Sequence, residues 1–345
     1  MNALVRERER WADILKGIGA ILVVIGHLVL YEGYAKIYIY SFHMPLFFFI
    51  SGYLYHQEKN FKTFLKRKVK NLLVPYFLFA FISILVTYFL EGIYLSKSEI
   101  LATYFFVNGS FAFNSSLWFL IIMFFTLIFF YIIRKSIKIE KPIFALITTI
   151  ILLVICVFLN IKQIKLYFGL EIVPHALLVF YLGYLYKLNK VKINKVINKV
   201  LHNNIVFIFQ VCILLIISFY LSLLNGRVNM STSIYNNYFL YLVAAIISIY
   251  VYVLISKKLE LCKNKFNTKF ADVLVRFSFL SLLMFCTQRL IFKVYYKIQD
   301  AINIDLMSGK NIIVTIFMII LTLLIYYLYD RIKYIITRRL NYEKT

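Results

Sequence analysis

Apolar runs of about 17–22 residues recur ten times along the chain, near 13–31, 39–57, 72–90, 117–134, 143–159, 166–186, 205–224, 238–256, 277–298 and 312–330. A helix of that length crosses ~30 Å of hydrocarbon. Each run therefore predicts one membrane span, with ends good to about 2–4 residues. The apolar stretch 100–107 is too short to cross and is expected at the interface or dipping into it. The first run is longer than a signal-peptide core and no small-residue cleavage site follows, so it is expected to be retained. Polar connections are short except 91–116, and neither a repeat nor a low-complexity stretch interrupts the pattern. The expectation is one polytopic domain over 1–345, with no appended soluble domain.

Composition agrees with that pattern. Hydrophobic residues make up 62% of the 345, more than a soluble domain of this length can place. The net charge of +24 would fit a nucleic-acid binder, but its distribution excludes one. Thirty of the 39 Lys and Arg fall in the N-terminal segment up to Lys16, in 59–70, 134–141, 187–199 and 257–276, and after Asp330. These are alternate ends of the spans, and basic loops face the cytoplasm. The fold expected is an all-α integral membrane bundle of about ten helices, both termini cytoplasmic, in a bacterial cell membrane. The four cysteines form neither a CxxC pair nor a metal-ligand spacing, so no disulfide and no metal is expected.

Ionisable side chains at membrane depth are costly to bury and point to function. Lys16 and His27 lie eleven residues apart, about 16 Å along a helix and on nearly one face. His43 sits about one turn below the start of the second span, and an antiparallel hairpin brings it to the depth of His27. Ser115, Ser116 and Trp118, Glu171 and His175, Arg227 and Arg289 fall near the same level. The pattern describes a polar cavity open to the exterior, with Trp118, Glu171, His175, Arg227 and Arg289 as substrate-binding candidates. Taken singly, each has a plainer use: a histidine packs, a lysine at a helix end snorkels, and a boundary tryptophan anchors the helix.

Together the segments resemble a known family. A basic residue, ten residues and a histidine (Lys16 to His27), within Asp13-Ile-Leu-Lys-Gly-Ile and Val-Val-Ile-Gly-His, resembles the first span of the acyltransferase-3 family of integral membrane acyltransferases. The segment Ser41-Phe-His-Met-Pro-Leu-Phe-Phe-Phe-Ile-Ser-Gly-Tyr53 is similar to its fucose 4-O-acetylase-like branch. So are Leu72-Leu-Val-Pro75-Tyr76, Ser116-Leu-Trp118-Phe-Leu120 and Asn225-Gly-Arg227-Val228.

The resemblance implies transfer of an acyl group, usually acetyl, from cytoplasmic acyl-CoA to a hydroxyl of an extracytoplasmic or lipid-linked glycan. It makes His27 the catalytic histidine, as base or acyl acceptor, and Lys16 its basic partner. Arg67-Lys-Val-Lys70 matches the family's Arg-x-x-Arg, so Lys16, Arg67 and Lys70 are expected on the CoA phosphates. Lys70 lacks the bidentate fork of an arginine. Ser51 and Gly52 are expected to let the pantetheine arm pass, and His43 to orient His27 or shuttle its proton. One departure stands out: where many relatives carry a histidine in the penultimate span, this chain reads Phe285-Cys286-Thr287-Gln288-Arg289. A transporter or flippase for a glycan or small solute is the alternative, although paired Gly/Pro-broken helices are not seen.

Overall fold

The computed structural model describes residues 9–28, 33–92, 96, 98–99, 114–137, 139–302 and 312–342. Its elements are α1 (Arg10–Leu28), α2 (Tyr34–Tyr53), α3 (Phe61–Lys68), a π-helical turn (Val69–Leu73) and α4 (Val74–Glu91). After a 3₁₀ turn (Ser115–Leu117) come α5 (Trp118–Ser136), α6 (Pro142–Lys162), a second 3₁₀ segment (Tyr167–Ile172) and α7 (Val173–Leu188). There follow α8 (Lys190–His202), α9 (Asn204–Asn225), α10 (Tyr238–Leu261), α11 (Lys265–Ile302) and α12 (Ile312–Tyr342). A helix thus covers each of the ten apolar runs, while 100–107 falls outside the described residues. Among the described residues, seven helical stretches are long and apolar enough to cross a membrane.

The helix ends follow local chemistry. Asn60, Asn203 and Asn237 cap α3, α9 and α10, each side-chain oxygen accepting from two backbone N–H groups of the first turn. Gly92, at φ +66°, ends α4 in the left-handed conformation. The π turn falls where the basic helix α3 becomes the apolar helix α4.

Burial separates central from peripheral helices. Every residue of α2 from Ser41 to Ile50 is buried, as expected of a helix apolar all round at the middle of a bundle. By contrast, only 17% of the apolar window in α9 and 22% of that in α6 is covered by protein. Faces so apolar and so exposed suit hydrocarbon rather than water.

Two central contacts depend on glycine. A Cβ added to Gly52 of α2 would sit 1.8 Å from the carbonyl oxygen of Phe180 on α7, and one on Gly183 of α7 would sit 1.9 Å from that of Phe49 on α2. The helices therefore approach to backbone contact in both directions, the small-residue packing typical of membrane interiors.

Candidate active site

The first residues to place are the two histidines. His27 is the penultimate residue of α1, and His43 lies on α2 one turn beyond Tyr40. Both imidazoles meet the ring of Tyr40, with centroids 6.0 Å away for His27 and 5.0 Å for His43. The Tyr40 hydroxyl lies 3.2 Å from Nδ1 of His27, which leaves Nε2 as that ring's reactive nitrogen. Nδ1 of His43 is 2.7 Å from the carbonyl oxygen of Ile39. A carbonyl can only accept, so Nδ1 carries the proton and Nε2 keeps its lone pair. Arg227 lies over the Tyr40 ring at 5.5 Å and hydrogen-bonds its hydroxyl.

These groups wall a cavity of about 150 Å³. Ser115, Ser116 and Trp118 form one side, Phe285 and Arg289 of α11 another, and residues 229–232 a third. The structure therefore brings together His27, His43, Trp118, Arg227 and Arg289. Glu171 and His175 are buried elsewhere. Glu171 accepts from the Leu166 N–H at 3.0 Å and from the Ser233 hydroxyl at 3.4 Å. His175 stacks on Tyr235, centroids 4.2 Å apart. Both were expected to bind substrate; neither lines this cavity, and both contact the 226–237 segment instead. The chain turns sharply just before them, where Phe168 and Gly169 take φ +59° and +67°.

A second cavity, about 400 Å³, is basic. Lys16, Ser51 and Arg67, three of the residues expected to meet the donor, line it. Lys70 does not; Lys68 and Asn71 do, and Lys70 is exposed. The π turn that starts at Val69 is wider than an α turn and carries the third residue after Arg67 off its face. Arg67 is held by an ion pair with Glu58. Gly52 does not line the cavity either, because its Cα hydrogens face the Phe180 carbonyl on α7.

Between the cavities lies an aromatic layer. On α2, Met44 borders the histidine cavity and Ile50 and Ser51 border the basic one. Phe47, in the turn between, meets Phe285 at 4.9 Å and Phe119 at 5.9 Å, and these two stack on each other at 4.8 Å. Lys16 and His27 thus serve two separate cavities although they share a helix face.

A family model described as an acyltransferase domain matches residues 9–331, which contain both cavities and the helices that build them. The chain belongs to the acyltransferase-3 family. No curated protein and no solved structure matches it. The cavity walls include three features that sequence reading passed over: Tyr40, Lys68 and residues 229–232 of the α9–α10 connection. Tyr40 was detectable in principle, three residues before His43 and so one helical turn away. The connection was not, because its shape depends on distant partners. Asn225 donates to the Tyr235 carbonyl at 3.1 Å, and Asn236 to the Asn225 and Arg227 carbonyls at 2.9 and 3.0 Å.

Proposed function

We propose that this membrane acyltransferase is an O-acetyltransferase of the fucose 4-O-acetylase-like branch. In this reading, ten spans with both termini cytoplasmic cross a bacterial cell membrane. The basic cavity receives acetyl-CoA from the cytoplasm, and the histidine cavity receives a hydroxyl of an extracytoplasmic or lipid-linked glycan. The observation that carries the proposal is the juxtaposition along α1 and α2 of a cavity holding Lys16, Arg67 and Lys68 with one holding His27, Tyr40 and His43. Three cations suit the CoA phosphates, and paired imidazoles suit proton transfer from a weakly nucleophilic alcohol.

The chemistry follows from the geometry. Nε2 of His27 takes the hydroxyl proton as the oxygen attacks the thioester carbonyl. The new C–O bond forms, the C–S bond breaks, and the proton passes to the departing thiolate. With His27 as acyl acceptor, Nε2 first takes the acetyl from sulfur and then yields it to the hydroxyl. Tyr40 fixes the ring in either case, and His43, with its free Nε2, relays the proton. The acetyl, still on its thiol, has to pass the Phe47, Phe119 and Phe285 rings to reach His27, so those rings turn aside to admit the donor's arm.

Full-length protein in lipid nanodiscs, given labelled acetyl-CoA and surface glycans from its host, tests the proposal. Wild type is expected to transfer label to glycan, and His27→Ala to lose about 10²-fold or more of that rate. Unchanged transfer by a correctly inserted His27→Ala would remove the proposed role.

A further inference from the structure

On α11, the cations in and beside the apolar run differ in what faces them. Arg276 is paired with Asp330 at 2.8 Å, and Lys293 with Glu91 at 2.8 Å. Arg289 lies between those two in sequence and lines the histidine cavity. Its Nε is buried and has no hydrogen-bond partner, and it joins no ion pair among the described residues. The described lining of that cavity contains Arg227, two histidines, serines, Asn229 and Thr232, but no carboxylate. A charge held in a low-dielectric site without a counter-ion is strongly unfavourable. A guanidinium is also the side chain best shaped to grip a carboxylate or phosphate through two parallel hydrogen bonds.

We propose that the acceptor of this enzyme is an anionic sugar whose carboxylate or phosphate is bound by Arg289, beside the hydroxyl presented to His27. This rests on the acyltransferase reading only in calling the ligand an acceptor; the anion site itself follows from the cavity wall. The rings of Trp118 and Tyr40 supply the apolar surface on which a sugar's C–H face packs. Ser115 and Asn229 supply hydrogen-bonding groups for its hydroxyls. Gln288, next to Arg289, is turned away from the ligand and donates to the Ser116 hydroxyl at 3.0 Å. That bond ties α11 to the 3₁₀ turn and fixes the height of the arginine.

The chain has two tryptophans, Trp118 in the cavity wall and Trp11 near the other end of α1. Quenching of tryptophan emission in full-length, detergent-solubilised protein therefore reports the cavity, with Trp118→Phe as the control. The probes are D-glucuronate, D-glucose 6-phosphate and neutral D-glucose at constant ionic strength. At least one anionic sugar is expected to bind about tenfold or more tightly than glucose. That preference is expected to vanish in Arg289→Gln and to be only partly retained in Arg289→Lys, which keeps the charge but not the fork. Stronger binding of glucuronate assigns the site to a carboxylate, and stronger binding of the phosphate ester assigns it to a phosphate. Equal binding of all three sugars, no response to any, or a preference that persists in Arg289→Gln would overturn the proposal. Acetyl transfer measured on the same preparation separates the two readings. Transfer without anion preference overturns the anion site alone, whereas anion preference without transfer leaves that site standing and overturns the acyltransferase mechanism.

Discussion

Tyr40 joins three groups whose chemistry differs: the imidazole of His27, the ring of His43 and the guanidinium of Arg227. Residues at such junctions set the geometry of their neighbours more than they react themselves. The basic cavity offers a sharper test of residue roles, because Arg67 and Lys68 line it while Lys70 faces out. Arg67→Ala is expected to raise the KM for acetyl-CoA about tenfold, with turnover at saturating donor changed less than about threefold. Lys70→Ala is expected to leave both within about twofold. Steady-state kinetics with varied donor check both. The sequence shows basic charge in 66–70 plainly, but the face each cation occupies depends on a π turn that has no signature in the residues. His43 and His27 were legible because histidines inside apolar runs are conspicuous. Glu171 and His175 were equally conspicuous, yet they follow a sharp turn with two positive φ angles and pack against Ser233 and Tyr235 instead of lining the cavity.

At the scale of elements, α2 carries the fold as well as the site. Its backbone touches that of α7 at Gly52 and Gly183, and one turn earlier its side chains reach the aromatic layer. Gly52→Ala is expected to force the helices apart and lower the melting temperature in detergent by several degrees, from an overpacking cost of about 1–3 kcal/mol. Acetyl transfer should fall with it, although the residue touches neither cavity; Gly52→Ser should behave no better. Differential scanning fluorimetry checks the shift. The start of α1 is fixed from several sides. Glu260 accepts from the Trp11 backbone N–H at 3.0 Å, and Lys257 lies 4.4 Å over the Trp11 ring.

Glu9 accepts from Tyr53, from Trp11 Nε1 and from Lys190 at that same end. Burial by itself raises the carboxyl pKa of Glu9, but these hydrogen bonds outweigh it and hold the group below its ordinary value. A carboxylate with a lowered folded pKa contributes stability that is present above the unfolded pKa, about 4.3, and is lost as pH falls through the folded one. Wild type should therefore lose its advantage over Glu9→Gln on acidification below about pH 4, measured as the difference between their melting temperatures. The glutamate was visible in the sequence as one member of an alternating charge run. Its partners, on α2 and α8, were not, because they come from 44 and 181 residues away.

Across the whole molecule, the ten helices over the apolar runs were legible because hydropathy depends on composition rather than on contacts. The division of the interior into two cavities was not, since Phe47, Phe119 and Phe285 are ordinary apolar residues until three helices bring them together. The proposed topology gives those three rings another consequence. A cell membrane stores energy as a proton gradient, and a line of water joining the cytoplasm to imidazoles near the exterior would discharge it. In that topology the packed rings would insulate, admitting the acetyl-bearing arm of the donor but no continuous line of hydronium. Replacing Phe47 with alanine should therefore make the enzyme leaky in two ways, as faster collapse of an imposed pH gradient in sealed vesicles and as acetyl-CoA hydrolysed without any glycan being acetylated.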